Sequence, residues 1–201
     1  MSTQVVVING GNAFTTYEEY LSSLKEKELD FERLKQKRWR ETLGERLGDE
    51  FEVIAFEMPN RANAKYLEWK IWFEKLTPFL KDGVVFVGHS LGGIFLAKYF
   101  SENKFPKKVR ATFLVAAPYD EEGAEYLGDF ILPGSLDGLR KQGGSIFLYH
   151  SEDDPLVPLG SLEKYRRILP NSTVQIFHDR GHFMGPEFPE FIEDVNKLYR
   201  L

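Results

Sequence analysis

Three kinds of side chain that can act together in nucleophilic catalysis occur in one order along this chain of 201 residues. Ser90 lies directly after the apolar run 84–87. Aspartates follow the apolar run 146–149, and His182 follows the run 174–177. A serine hydroxyl is a weak nucleophile that needs a base to accept its proton, and the base needs an acid to orient it. These residue types, in this order, predict covalent catalysis through a serine.

The pentapeptide around the serine, Gly88-His89-Ser90-Leu91-Gly92, predicts a sharp turn between a strand and the helix-compatible run 94–100. On such a turn the serine stands clear of the sheet edge in a strained conformation, and the two glycines let strand and helix approach closely. A glycine-rich turn without chemistry is the simpler interpretation of the pentapeptide alone. The order Ser, Asp, His along the chain favours the catalytic interpretation.

Four histidines are candidates for the base. His89 adjoins Ser90 on the tight turn, where neighbouring side chains point apart, so we interpret it as a packing residue. His150 and His178 lie at the ends of predicted strands, where structural histidines are common. His182 lies in a short loop before the last predicted helix and is the predicted base.

Three aspartates compete for the role of the acid. Asp154 is the first candidate because it begins the turn Asp154-Pro155-Leu156-Val157-Pro158, which directs one carboxylate back across the sheet. Asp153 fits a turn or cap residue on the outer side, and Asp179 could instead hold the histidine loop.

A serine nucleophile also needs two backbone N–H groups to stabilise the oxyanion. The amide of Leu91, next to the nucleophile, is one candidate. The turn Asn9-Gly10-Gly11-Asn12 supplies the other, with Gly11 as our choice and Asn12 as the alternative. This turn has neither a G-x-G-x-x-G nor a Gly-Lys-Ser/Thr pattern, and the chain shows no metal-ligand spacing, so we expect no cofactor and no metal.

The elements that must position these residues are six short apolar runs alternating with helical patterns. The runs are 5–8, 53–56, 84–87, 111–116, 146–149 and 174–177. Nearly unbroken β-branched and aromatic runs predict strands buried on both faces, and their alternation with helices predicts a parallel sheet flanked by helices.

Two connections depart from this alternation. The segment 25–46 carries charges of both signs, and we expect a solvated helical excursion without a catalytic part. We expect the body of the domain to cover its apolar residues, with a second subunit as the alternative cover; these residues are Phe31, Leu34, Trp39 and Leu43. The segment 119–142 is rich in Gly and Pro, and we expect a small irregular cap beside the serine. Its residues Tyr126, Phe130 and Leu132 are predicted to line the substrate pocket. The alternative is a surface loop whose aromatic residues pack on the body of the domain.

The composition is that of a soluble globular protein, with 42% hydrophobic and 28% charged residues, and predicts a single domain over 1–201. A net charge of −5 argues against general binding to nucleic acid or anionic membranes. The absence of cysteine excludes disulfides and a cysteine nucleophile. No segment approaches the ~20 apolar residues that span a bilayer. We expect a cytoplasmic protein that is a monomer rather than a dimer.

The chain resembles a family of small, nearly capless α/β-hydrolases that includes retinoblastoma-binding protein 9 and related bacterial serine hydrolases. The resemblance extends over essentially the whole length. It is carried by Gly88-His89-Ser90-Leu91-Gly92, Ser151-Glu152-Asp153-Asp154-Pro155-Leu156-Val157-Pro158, Gly181-His182-Phe183 and Met58-Pro59-Asn60. In the family the second aspartate of the pair is the acid, which implies Asp154 here. The family fold implies a single α/β-hydrolase domain with a minimal cap and a six-stranded parallel sheet of order 2-1-3-4-5-6.

We therefore predict a serine hydrolase that cleaves carboxylic esters of small molecules, with Ser90 as nucleophile, His182 as base and Asp154 as acid. A peptidase, thioesterase or lactonase would use the same three residues, because the leaving group is selected by the shape of the pocket. The alternative from another class is a non-catalytic interaction protein on the same scaffold. An ester-hydrolysis assay separates these two classes.

Overall fold

The computed structural model describes residues 2–122 and 126–200, in which strands and helices alternate as predicted. The strands are β1 (Thr3–Ile8), β2 (Phe51–Phe56), β3 (Val84–His89), β4 (Val109–Val115), β5 (Ser145–Ser151) and β6 (Thr173–Phe177). The helices are α1 (Tyr17–Glu26), α2 (Phe31–Lys35), α3 (Trp39–Leu47), α4 (Tyr66–Leu76), α5 (Leu91–Glu102), α6 (Asp137–Gln142), α7 (Leu159–Ile168) and α8 (Pro189–Arg200). None of these described helices is long and apolar enough to cross a membrane.

All six strands pair in parallel in one sheet of order β2-β1-β3-β4-β5-β6, which confirms the predicted order. From β1 the chain passes to β2 on one side of the sheet and then to β3 on the other. The carboxyl ends of β1 and β3 therefore flank the point where the direction of winding reverses. In open α/β sheets this crevice is where ligands bind. The turn after β1 and the pentapeptide at the end of β3 meet there.

The core has two layers because successive side chains of a strand point to opposite faces. Val6 and Ile8 of β1 pack against α4 and α5 in one hydrophobic cluster, which also contains buried residues of α6 and α7. Val5 and Val7 pack in a second cluster with buried residues of α3 and α8. The unbroken apolar runs of the sequence thus correspond to strands covered on both faces.

The charged segment 25–46 contains the end of α1, the short helix α2 and most of α3. Trp39 and Leu43 of α3 are buried on the body of the domain, as predicted for the apolar residues of this segment. Phe31 and Leu34 of α2 are exposed, and α1 has no buried residue. The expectation that the body covers the segment therefore holds for α3 and is wrong for Phe31 and Leu34.

The connection between β4 and β5 contains only short elements in its described part. These are a single 3-10 turn (Gly128–Phe130) and the six-residue helix α6, which packs on α5. Residues 123–125 of the predicted cap, 119–142, lie outside the described residues. The described part of the connection is irregular, as the glycine and proline content predicts.

Candidate active site

Ser90 lies between β3 and α5 with a backbone conformation of φ 55° and ψ −125°. This region of backbone space costs a non-glycine residue about 1–3 kcal/mol, so contacts with other segments must hold it. The Ser90 amide donates a hydrogen bond of 2.8 Å to the carbonyl of Val115 at the end of β4, and the Ser90 carbonyl accepts one of 2.8 Å from the amide of Gly93. The neighbouring strand and the first turn of α5 therefore hold the strained serine in place.

Three glycines around the serine are required by close contacts with neighbouring segments. A Cβ at Gly88 would lie 2.4 Å from the carbonyl oxygen of Gly92, and one at Gly92 would lie 2.3 Å from that of Ile8. The pentapeptide predicts this crowding. Gly93 lies outside the pentapeptide, yet a Cβ there would lie 2.6 Å from Cβ of Ala117. α5 therefore approaches the ends of β1, β3 and β4 more closely than any larger residue allows.

The structure brings His182 and Asp154 into direct contact. Nδ1 of His182 donates a hydrogen bond of 2.8 Å to Oδ2 of Asp154, whose side chain is 1% exposed. Oδ1 of Asp154 accepts the amides of Leu156 and Val157 at 2.9 Å and 3.1 Å. These two hydrogen bonds fix the direction of the carboxylate. Because Nδ1 donates to Asp154, the neutral ring keeps Nε2 free to accept a proton.

The Ser90 hydroxyl forms no hydrogen bond to His182 within the parts of the chain that the structure describes. Contacts between nucleophile and base are often long in ligand-free sites and tighten when substrate binds. The structure therefore places the predicted acid and base and the strained serine at the same sheet edge.

Asp153 holds the backbone of the histidine loop instead of serving only as an outward turn residue. Its Oδ1 accepts the amide of Gly181 at 2.9 Å and the hydroxyl of Ser151 at 2.5 Å. The Ser151 hydroxyl in turn accepts the amide of Arg180 at 3.0 Å. The hydrogen bonds from Ser151 and Gly181 lower the pKa of Asp153. The loop-holding role that the sequence suggested for Asp179 belongs to Asp153, because the carboxylate of Asp153 accepts the amide of Gly181 in that loop.

His89 does more than pack. Its Nε2 donates a hydrogen bond of 2.8 Å to the backbone carbonyl of His182, and the two rings lie 4.8 Å apart. Burial, followed by the nearby charges of His182 and Arg40, holds the pKa of His89 well below its ordinary value of 6.5. A neutral His89 therefore supports the loop that carries the predicted base. The sequence offers only one indication of this role, which is the histidine inside the pentapeptide. Its position on the tight turn predicts packing but not the contact with the His182 loop.

The two remaining histidines have other roles. His150 is buried, and its Nε2 donates to the carbonyl of Val157 at 2.9 Å, which supports the loop that carries Asp154. Burial lowers the pKa of His150. His178 is exposed and pairs with Glu152 at 2.6 Å. Neither contacts Ser90 in the described structure.

Both amides predicted for the oxyanion lie beside Ser90. Gly11 and Leu91 line the same cleft as the serine, and neither amide donates to another group of the described residues. The alternative donor, Asn12, is already engaged, because its amide donates to the carbonyl of Arg61 at 2.8 Å. The geometry therefore favours Gly11 over Asn12.

The described part of the cleft beside Ser90 is narrow, with a volume of about 30 Å³. It is lined by Gly11, Asn12, Ser90, Leu91, Pro118, Tyr126, Leu127, Leu156 and Val157. Of the three predicted pocket residues, Tyr126 is in this lining. Leu156 and Val157, which come from the acid loop, are lining residues that sequence reasoning missed.

The pocket roles predicted for Phe130 and Leu132 are wrong, because neither residue is in the lining of the cleft. Phe130 is fully buried, with its ring 5.8 Å from that of Tyr66 and 5.0 Å from that of Trp69. Leu132 is partly buried against the same hydrophobic cluster. The 3-10 turn directs Phe130 into the core, where its ring packs on aromatic residues of α4.

Comparison with known proteins agrees with this architecture. A serine hydrolase family model matches residues 31–186 of the chain. Serine hydrolase RBBP9 of Rattus norvegicus is 27% identical over 151 residues, which make up 74% of this chain and 78% of that protein.

Two solved structures show the same fold. The ydeN gene product from B. subtilis superposes with a TM-score of 0.78 at 18% identity and covers 100% of both chains. The esterase EaEST from Exiguobacterium antarcticum superposes with a TM-score of 0.64 at 15% identity and covers 100% of this chain and 92% of its own. Since the family model spans well over half of the chain and the fold agrees with it, the chain belongs to the serine hydrolase family.

Proposed function

We propose that this hydrolase cleaves carboxylic esters through an acyl-enzyme formed on Ser90. Oγ attacks the carbonyl carbon while Nε2 of His182 accepts the hydroxyl proton, and the carbonyl electron pair moves onto oxygen. The amides of Gly11 and Leu91 stabilise the resulting oxyanion. When the intermediate collapses, the carbon–oxygen bond to the alcohol breaks, and the leaving alkoxide takes the proton from His182.

Water completes the cycle by the same steps. His182 takes a proton from water as the water oxygen attacks the acyl carbon, and the second oxyanion collapses with release of the carboxylic acid. The proton on His182 then returns to the Ser90 oxygen. Asp154 keeps the ring in the required tautomer and stabilises the imidazolium in both halves of the reaction. No cofactor or metal takes part in this scheme, and its expected partner is a small acyl substrate.

The observation that carries the proposal is the 2.8 Å contact between Nδ1 of His182 and Oδ2 of Asp154. It lies at the sheet edge where Ser90 has the strained conformation expected of a nucleophile on a strand-to-helix turn. The alternative of a non-catalytic scaffold gives no reason to maintain a strained serine, a buried carboxylate and two unengaged amides in one place.

The cleft also limits the acyl group. A water molecule needs about 10–15 Å³ of such space, so the narrow part of the cleft, about 30 Å³, holds only the first carbons of an acyl chain. Longer chains would project past Tyr126 and Leu156, which are both exposed. We therefore expect acetyl and propionyl esters to be better substrates than octanoyl esters.

The test compares wild type with Ser90→Ala on a panel of acyl esters of graded length, with matching thioesters, lactones and aminoacyl amides. Wild type should be labelled by a fluorophosphonate and should turn over short esters. Ser90→Ala should remain folded, lose labelling and lose about 10⁴- to 10⁶-fold in turnover. Unchanged turnover in Ser90→Ala would overturn the mechanism. If wild type prefers thioesters, lactones or amides, that class replaces esters as the proposed substrate. If wild type shows neither turnover nor labelling, the non-catalytic scaffold is favoured.

A further inference from the structure

The turn that carries the Gly11 amide is clamped by a segment that follows β2. Nε of Arg61 donates a hydrogen bond of 2.9 Å to the carbonyl oxygen of Gly10. The carbonyl of Arg61 accepts the amide of Asn12 at 2.8 Å, and the carbonyl of Asn12 accepts the amide of Ala64 at 2.8 Å. Side chain and backbone of one arginine therefore hold both ends of the Gly10–Asn12 turn.

This contact sets the direction of the predicted oxyanion donor. The carbonyl of Gly10 and the N–H of Gly11 belong to one peptide group, which is trans, so the two bonds point in opposite directions. Since Arg61 binds the carbonyl, the Gly11 N–H points away from Arg61. A cation on a carbonyl oxygen also polarises the peptide and makes its N–H a stronger donor.

The same peptide lies directly against the nucleophile. A Cβ at Gly10 would lie 2.8 Å from Cβ of Ser90 and 3.2 Å from its Oγ. On the other side, a Cβ at Gly11 would lie 2.4 Å from the carbonyl oxygen of Arg61. The peptide is therefore enclosed between Ser90 and Arg61, and a rotation that turned the Gly11 N–H out of the cleft would break the bond to the guanidinium.

Arg61 is itself oriented by neighbouring groups. Its Nη1 forms an ion pair of 2.7 Å with Oε2 of Glu57, just after β2. Arg61 is the first residue of a 3-10 turn. The residue before it, Asn60, caps this turn in a left-handed conformation with φ 49°. The Arg61 side chain is about one-third exposed, so it packs against the site without forming part of the hydrophobic core.

We propose that Arg61 is a positioning residue for the oxyanion hole, which holds and polarises the Gly10–Gly11 peptide so that the Gly11 N–H faces the oxyanion. This inference rests on the proposed ester hydrolysis at Ser90. Arg61 acts through the peptide and does not itself contact the reacting atoms. Its effect should therefore be confined to the transition state, in which the oxyanion exists, and should be small in the ground-state complex.

The experiment measures kcat, KM and the inhibition constant of a trifluoromethyl ketone for wild type, Arg61→Ala and Arg61→Lys. Removing an oxyanion donor costs about 10²- to 10³-fold in kcat, so losing its support in Arg61→Ala should cost about 10- to 100-fold. KM should change less than about twofold, because ground-state binding depends little on the oxyanion donors.

The ketone, which forms an oxyanion on the serine, should bind more weakly by the factor lost in kcat/KM. Guanidinium at millimolar concentration should restore part of the activity of Arg61→Ala, and equal ionic strength from NaCl should not.

Arg46→Ala is the matched control, because it removes the exposed 3.1 Å ion pair with Glu187, away from the turn. It should leave kcat and ketone binding unchanged.

If Arg61→Ala keeps the wild-type kcat, the inference is overturned. It is also overturned if kcat and KM both worsen together with the melting temperature and guanidinium restores nothing. Should Arg61→Ala not fold, Arg61→Lys decides by the same split between kcat and KM. If Ser90→Ala is inactive and Arg61→Ala has normal activity, this inference fails while the proposed function stands. If Ser90→Ala keeps its activity, the proposed function itself fails.

Discussion

The adjacent carboxylates Asp153 and Asp154 have different tasks in the folded protein. Asp154 contacts the ring of His182, whereas Asp153 contacts the backbone amide of Gly181 just before it. One carboxylate thus orients the proposed base and the other shapes the loop that carries it. A carboxylate replaced by an amide loses its charge but keeps an acceptor oxygen, so the two tasks respond differently to substitution.

At the residue scale, Asp154→Asn should lower kcat by about 10⁴-fold, because an amide favours the wrong tautomer of the base and does not stabilise the imidazolium. Asp153→Asn should cost far less, because the amide oxygen can still accept the Gly181 N–H. Steady-state ester kinetics on both variants provide the measurement, with Asp179→Asn, an exposed position, as the control. If Asp153→Asn were the inactive variant, the assignment of the two carboxylates would have to be exchanged.

At the scale of elements, glycines decide how closely helices approach. Gly138 in α6 faces α5, and a Cβ there would lie 2.4 Å from the carbonyl oxygen of Phe100 and 2.7 Å from that of Ser101. A Cβ at Gly160 in α7 would meet no neighbouring atom within 4 Å. The two positions have the same residue type in a helix but opposite packing environments.

Gly138→Ala should destabilise the protein by about 1–3 kcal/mol, because the backbone of α5 has to move to admit the methyl group. Gly160→Ala should be neutral or stabilise the protein by up to about 1 kcal/mol, because alanine loses less conformational entropy in a helix. Urea unfolding of both variants measures the two free energies of unfolding. Equal effects of the two substitutions would contradict the close contact between α5 and α6.

At the scale of the whole molecule, two buried neutral histidines link stability to pH. The pKa values of His89 and His150 are lowered in the folded protein, chiefly by burial. Between these lowered values and the ordinary value of 6.5, the unfolded chain binds more protons than the folded one, so the free energy of unfolding falls as the pH falls below about 6.5. His178, with a pKa raised by Glu152, acts in the opposite direction, but it is exposed and screened.

We expect the slope of the free energy of unfolding against pH to decrease in His89→Asn by up to about 1.4 kcal/mol per pH unit between pH 6 and pH 5. The slope is the informative quantity, because the substitution also changes the stability at neutral pH. Urea titrations at several pH values measure it, and His178→Asn serves as the comparison at an exposed site. An identical slope in wild type and His89→Asn would show that His89 titrates normally in the folded state.

The sequence by itself determined the strands, their parallel sheet and the order of the chemistry along the chain. These follow from local information: unbroken apolar runs require burial on both faces, and the glycines around Ser90 allow only a tight turn between strand and helix. Because parallel strands place their carboxyl ends at one edge, the turns that carry Ser90, Asp154 and His182 had to meet there. The resemblance to a known family supplied the strand order, which the sheet confirms.

Only the tertiary structure decided what each side chain touches within those turns. His89 supports the loop of His182, and Arg61 holds Gly10, across separations of 93 and 51 residues. Phe130 lies in the core, whereas Leu156 lines the cleft, although both are apolar residues of irregular segments. The direction of a side chain in a turn depends on which distant segment packs against it and which polar groups that segment leaves unpaired. Neither is encoded in the local pattern of residues, so these roles emerged only when the chain was folded.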